Sequence, residues 1–234
     1  MKKKKRKKIK IRQPKPIHIN NCLELYSNIH RNKIGIIYGC GPSLNNLDIT
    51  KLGLKKDDVI HIVMKLALLS SNVPKIDYYF FGDKNNKSLL YENKLKDLNC
   101  KKFGLIYEGE ELNPLCYDLE FCNSVGAIPL SVSYKSGFQL DISKHAFYKS
   151  TTFFPCIQFA FYLGLTTIYI VGLDGTNESA FIPVDHIRKA DLKEKFIKHG
   201  PRYREYKDLY YPTCKVIHVN PVDITNVFNG KIKI

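Results

Sequence analysis

The chain has 234 residues, 44% of them hydrophobic and 12% aromatic, which is enough to bury a full core and too apolar for a disordered polymer. No apolar run approaches the ~20 residues needed to span a bilayer, and the opening Met-Lys-Lys-Lys-Lys-Arg-Lys-Lys has no apolar stretch behind it, which excludes a membrane-embedded fold and a secretion signal. The formal charge is +15; residues 2–15 supply ten Lys or Arg and no acid, leaving +5 for the remainder.

In chain order, residues 1–16 are expected to be a disordered basic tail. Such a block repels itself and attracts polyanions, either nucleic acid or an acidic membrane surface. Residues 17–234 are expected to form one domain. Asn20 to His30 reads as a short helix and Lys33 to Tyr38 as a strand. Gly39-Cys40-Gly41-Pro42-Ser43 follows, with Ser43 as N-cap of a helix reaching Leu52. A strand over Val59 to Val63 leads into a helix that begins with Lys65 to Leu69. Pro74 then breaks the chain ahead of a strand over Ile76 to Phe81, which closes on Gly82-Asp83. Leu89 to Leu98 reads as helix and Phe103 to Tyr107 as strand. Residues 108–150 are polar and irregular apart from a strand over Ala127 to Val132, and suit a lid or an acceptor-binding insertion. Thr151 to Leu165 is helical and Thr167 to Val171 is a strand ending in Gly172-Leu173-Asp174. Helices over Ala190 to His199 and Arg204 to Leu209 precede the last expected strand, Lys215 to Val219. Short apolar strands alternating with helices predict an α/β, Rossmann-like, mostly parallel sheet with helices on both faces.

Ligands in such sheets bind at the carboxyl ends of the strands. Gly39 and Gly41 permit a tight turn whose N–H groups suit a phosphate, and Ser43 either caps the helix or donates its hydroxyl. The spacing is neither Gly-x-Gly-x-x-Gly nor a P-loop. Asp83 and Asp174, at equivalent strand ends, suit ribose or sugar hydroxyls, or else cap their own turns. Lys65 suits a phosphate. His186, about a dozen residues after Asp174, suits a general base, with Arg188 beside it to meet an anionic group. The seven cysteines show neither Cys-x-x-Cys nor zinc spacing, which predicts a reduced, cytoplasmic protein without a disulfide framework or metal site. Cys40, inside the glycine turn, is a lesser candidate nucleophile.

Four segments carry a family resemblance: IIYGCGPSLNNLDITKL (36–52), PKIDYYFFGD (74–83), STTFFPCIQFAFYLGLTTIYIVGLDG (150–175) and TCKVIHVNPVDITNVF (213–228). In this order they resemble the MptE-like superfamily and the related bacterial sialyltransferases of lipooligosaccharide synthesis. The resemblance implies a nucleotide-binding transferase domain, with Gly39, Gly41, Pro42 and Ser43 on the phosphate side of the donor and Thr151 and Thr152 near it. It also implies His186 as the base that deprotonates an acceptor hydroxyl, without a metal cofactor. The partners would be a nucleotide-sugar donor and a glycan acceptor. Lys65 stands where the sialyltransferases carry an asparagine, and their tyrosines after the Gly-x-Asp turn are absent. The MptE-like branch also contains pterin pyrophosphokinases, for which ATP and Mg²⁺ would be held by Asp83 and Asp174, and proteins linked to flagellin glycosylation. A third reading is a polyanion-binding protein that works through its basic tail.

Overall fold

A computed structural model describes residues 21–82, 88–107, 117–133, 137–148, 151–174, 192–219 and 230–232. Within them nine strands form one sheet: β1 (Ile34–Tyr38), β2 (Val59–Met64), β3 (Tyr78–Phe81), β4 (Lys101–Tyr107), β5 (Ile128–Ser133), β6 (Ala146–Phe147), β7 (Thr167–Val171), β8 (Lys215–Val219) and β9 (Gly230–Ile232). The order is β6-β5-β4-β3-β2-β1-β7-β8-β9, and every neighbouring pair is parallel. This is the Rossmann-like α/β class that the alternating pattern predicts.

The strands are mostly apolar because both faces of the sheet are covered. All six residues of β2 are buried. Alternate side chains serve two cores. Ile37, Ile62, Phe80 and Ile170 point into one core, and Tyr38, Val63, Tyr79 and Val171 into the other. The first core is covered by α3 (Phe153–Tyr162) and by Tyr203 and Tyr206 of α4 (Leu192–Tyr210), and it is rich in aromatic contacts. Phe103 and Phe159 have ring centroids 4.7 Å apart, and Phe80 and Phe103 4.9 Å apart. Each such pair adds roughly 0.5–1.5 kcal/mol beyond the area it buries. The second core is covered by α1 (Leu89–Glu92), α2 (Leu119–Ser124) and short 3-10 turns.

The helices depart from the sequence-based expectation more than the strands do. The segments expected as helices over 20–30, 43–52 and 65–69 are 3-10 helices: Asn21–Tyr26, Pro42–Asn46 with Ile49–Leu52, and Lys65–Leu69. Runs of four to six residues gain little from α-helical nucleation, and these segments close as 3-10 turns. The helix expected over 89–98 keeps only Leu89–Glu92. The turns after it are held by buried Lys102, whose Nζ donates to the carbonyls of Leu95 (2.9 Å) and Leu98 (3.3 Å). The two helices expected near 190–199 and 204–209 are one, α4, with Pro201 inside it. Proline removes one N–H, but Tyr203 and Tyr206 beyond it pack on Phe161 and Phe138, and tertiary packing overrides the local penalty. Within 108–150 the strand expected over Ala127 to Val132 is β5, and α2 and β6 stand in stretches expected to be irregular. The sheet also continues past Lys215–Val219 into β9. Among the described residues no helix is long and apolar enough to cross a membrane.

Candidate functional site

The strand order reverses direction at β1. The chain winds outward from β1 to β6, then returns to lay β7 against the other side of β1. In open α/β sheets this switch point, at the carboxyl ends, is where ligands bind. β1 and β7 are level there, with Tyr38 opposite Val171.

Beyond these last rungs the two chains stay paired. The Gly39 N–H donates to the Val171 carbonyl at 2.8 Å and the Gly41 N–H to the Gly172 carbonyl at 2.7 Å. A Cβ on Gly39 would lie 2.3 Å from the Gly172 oxygen, and one on Gly172, whose φ is +63°, would lie 2.7 Å from the Gly39 oxygen. These glycines let two backbones touch. Asp174 completes the joint: its Oδ2 accepts from the Ser43 N–H at 2.7 Å and its Oδ1 from the Ser43 hydroxyl at 2.5 Å. Pro42–Asn46 is capped by Gly41 and not by Ser43, whose side chain is turned to Asp174. The N–H groups of Gly39, Gly41 and Ser43 are therefore engaged by the β7 end of the joint.

The next strand end contributes Lys65, in the left-handed region with φ +45°. Tyr79 braces it by donating its hydroxyl to the Lys65 carbonyl at 2.8 Å. The Lys65 ammonium acts on two thiols, Cys40 in the glycine turn and Cys156 in α3. Burial pushes the Cys40 thiol up, against the pull of Lys65 and of the Ala67 and Leu66 N–H groups, and the thiol donates to the Met64 carbonyl at 3.3 Å. A thiol held protonated is the opposite of an activated nucleophile.

α3 starts at the same edge and packs over β1 and β2. Thr151 Oγ1 accepts from the Phe153 N–H at 3.3 Å. Thr152, at the N-cap, is 3% exposed, and its hydroxyl has no hydrogen-bond partner among the described residues. A buried hydroxyl without a partner at a helix N-terminus is an uncompensated cost, of the kind a bound polar group removes.

The structure thus brings together Gly39, Gly41, Pro42, Ser43, Lys65, Thr151, Thr152 and Asp174 at one edge. Asp83, His186 and Arg188 lie outside the described residues. Sequence reasoning missed three supports. Asn72 Nδ2 donates to the carbonyls of Leu44 (2.8 Å) and Asn45 (2.9 Å), which fixes the turn after Ser43. Gln158 of α3 meets the Phe147 N–H, the Phe147 carbonyl and the Gln139 N–H, fastening α3 to β6. Glu92, near the ends of β3 and β4, accepts from Tyr117 at 2.6 Å. None belongs to a motif, because each partner is remote in sequence or lies in an irregular segment. A hollow of about 550 Å³ opens elsewhere, lined by Lys75, Asp77, Asn99, Cys100 and Lys101. These residues come from strand beginnings, at the end of the sheet away from this site. Among the described residues no three His, Cys, Asp or Glu side chains group as metal ligands.

No family model matches the chain, and no curated protein matches it. A solved structure does, that of the MAf glycosyltransferase from Magnetospirillum magneticum AMB-1. The chain resembles a solved glycosyltransferase in fold. The TM-score is 0.55 at 13% identity, over 90% of this chain and 37% of that one. The likeness is one of fold, and this chain spans little more than a third of the length of that protein.

Proposed function

We propose that the protein is a glycosyltransferase of the sialyltransferase-like kind, using a nucleotide-sugar donor at the carboxyl edge between β2, β1 and β7. The observation that carries this reading is the unpartnered Thr152 hydroxyl at the start of α3, above strand ends that also hold Lys65. An anionic group of the donor would take hydrogen bonds from Thr152 and the first N–H groups of α3 and charge from Lys65. The paired ends of β1 and β7 would give the donor a rigid floor. His186 would take the proton of an acceptor hydroxyl as that oxygen bonds to the anomeric carbon. The nucleotide would leave with the electrons of the broken bond, and the configuration would invert. Arg188 would meet negative charge on the donor. No metal is required by this step. The six described cysteines are all free, which suits a reducing, cytoplasmic setting. The fold likeness to a glycosyltransferase supports the same reading.

The test is thermal unfolding of the full chain with CMP, CDP, UDP, GDP and ATP, each with and without Mg²⁺. A ligand at 100 times its Kd stabilises by roughly 2.7 kcal/mol. A shift with a sugar-carrier nucleotide independent of Mg²⁺ is expected. A shift with ATP and Mg²⁺ alone would replace this reading by pyrophosphoryl transfer with Asp83 and Asp174 as metal ligands, and no shift would overturn both.

A further inference from the structure

Since all strands are parallel, their amino ends share the edge opposite the candidate site. α3 and α4, each leading into a following strand, end there too. Residues 28–32 are stitched to the last turn of α3. The Asn28 N–H donates to the Tyr162 carbonyl (2.8 Å), that of His30 to Leu163 (3.0 Å) and that of Asn32 to Gly164 (3.2 Å). Tyr211, just beyond α4, stacks on Phe161 with centroids 4.6 Å apart. Tyr162, at the end of α3, feels the charge of Asp141 and Glu24, hydrogen-bonds with Ser27 and interacts with Tyr211.

Around this edge stand four of the seven large apolar side chains exposed on the described surface: Leu25 (74% exposed), Ile29, Leu209 (66%) and Tyr210. Exposed cations share this edge with them. Arg31 and Lys215 are exposed at the starts of β1 and β8, and Lys33 is partly exposed next to β1. The acids Asp77 and Asp208 are paired with Lys75 (2.9 Å) and Lys207 (3.3 Å). Glu24 and Asp141, with Asp57, Asp58 and Asp97 ahead of β2 and β4, oppose this charge, and exposed Lys55, Lys94, Lys96 and Lys101 at the same strand starts offset them. The ten cations of residues 2–15 precede Asn21–Tyr26, which carries Leu25, in the sequence.

We propose that this amino-end edge docks the protein on an anionic lipid bilayer. The leucine and isoleucine side chains enter the acyl boundary, Tyr210 sits at the headgroup level, and Arg31, Lys33 and Lys215 meet the headgroup phosphates. A nucleic acid offers the cations their phosphates but gives Leu25 and Leu209 nowhere to go. A protein partner fits a continuous apolar patch better than apolar side chains drawn from separate segments that also carry exposed cations. Docked this way, the carboxyl edge faces away from the membrane.

The test is co-sedimentation of the full chain with vesicles of phosphatidylcholine alone or with roughly a third phosphatidylserine. Three variants are compared with it: L25S/L209S, the charge-reversed R31E/K215E, and L89S, whose Leu89 is 64% exposed but sits on α1, away from this edge. Binding is expected to the anionic vesicles and not to the neutral ones. Binding of each double variant should drop roughly tenfold or more, with L89S unchanged and all melting temperatures equal. Unchanged binding by both double variants would show the tail acting alone, and an equal loss in L89S would show unspecific apolar adhesion. Either result overturns the proposal. So does failure to sediment, or displacement from vesicles by a single-stranded oligonucleotide.

Discussion

Asp174 holds Ser43 by two hydrogen bonds, one to the backbone N–H and one to the hydroxyl, across 131 residues of sequence. The acid that looks poised for a ligand is in the first place a clamp between the strand ends flanking the switch point. Asp174→Ala leaves both donors without an acceptor and is expected to cost about 3 kcal/mol, whereas Ser43→Ala removes one bond and costs about 1–2 kcal/mol. Urea denaturation of the two variants and of the double checks this. The double should lose no more than Asp174→Ala alone, and simple additivity would mean that the two residues are not coupled.

The glycines give a sharper comparison. Gly53 also has φ +64°, with nothing within 4 Å of the place a Cβ would take, while Gly39 and Gly172 face each other's backbone. Gly53→Ala is expected to cost only the left-handed strain, about 1 kcal/mol. Gly39→Ala and Gly172→Ala must push the two chains apart and should each cost about 3 kcal/mol or more, read as lost melting temperature.

Thr152→Val separates binding from folding. Replacing a buried, unpartnered hydroxyl by a methyl group is expected to leave stability unchanged or to raise it by about 1 kcal/mol. The same change should abolish the nucleotide-induced shift in melting temperature. A loss of stability instead would mean that the hydroxyl already serves the fold.

Stability should also fall in mild acid. His61 is buried, with Nδ1 2.8 Å from the Tyr38 hydroxyl, and burial holds its imidazole below the ordinary 6.5 despite the opposing pull of Asp77. The unfolded chain then binds more protons than the folded one between that lowered value and 6.5. The contribution is complete above about pH 6.5 and is lost as the pH falls through the lowered value. His30, 2.7 Å from the Tyr78 hydroxyl, is shifted the same way. Melting temperature measured from pH 7.5 to 5 should decline, and the decline should be shallower in His61→Gln.

The strands were legible because burial on both faces writes itself as an apolar run. Thr167–Val171 and Lys215–Val219 have the boundaries expected of them, and Ile34–Tyr38 differs by one residue. Helix type was not legible, since a segment such as Lys65–Leu69 is decided by its length and its packing against α1. The glycine turn and Gly-Leu-Asp could each be picked out, but not that they grip each other, because a contact over 131 residues leaves no local pattern. The same is true of Thr152, whose lack of a partner is a property of everything around it.

The interior place of β1 has a consequence for how the chain is made. Its first neighbour, β2, follows closely, but its second, β7, begins beside a contact spanning 133 residues, between Lys33 and Thr166. At 5–20 residues per second, synthesis of that interval takes on the order of 10 s. For that time a strand that ends up inside the sheet is an outer edge with unpaired N–H and C=O groups, open to any other nascent strand. The slow, error-prone moment of folding is thus the closing of this seam, and the same Gly39–Gly172 contact that floors the candidate site is what locks it shut.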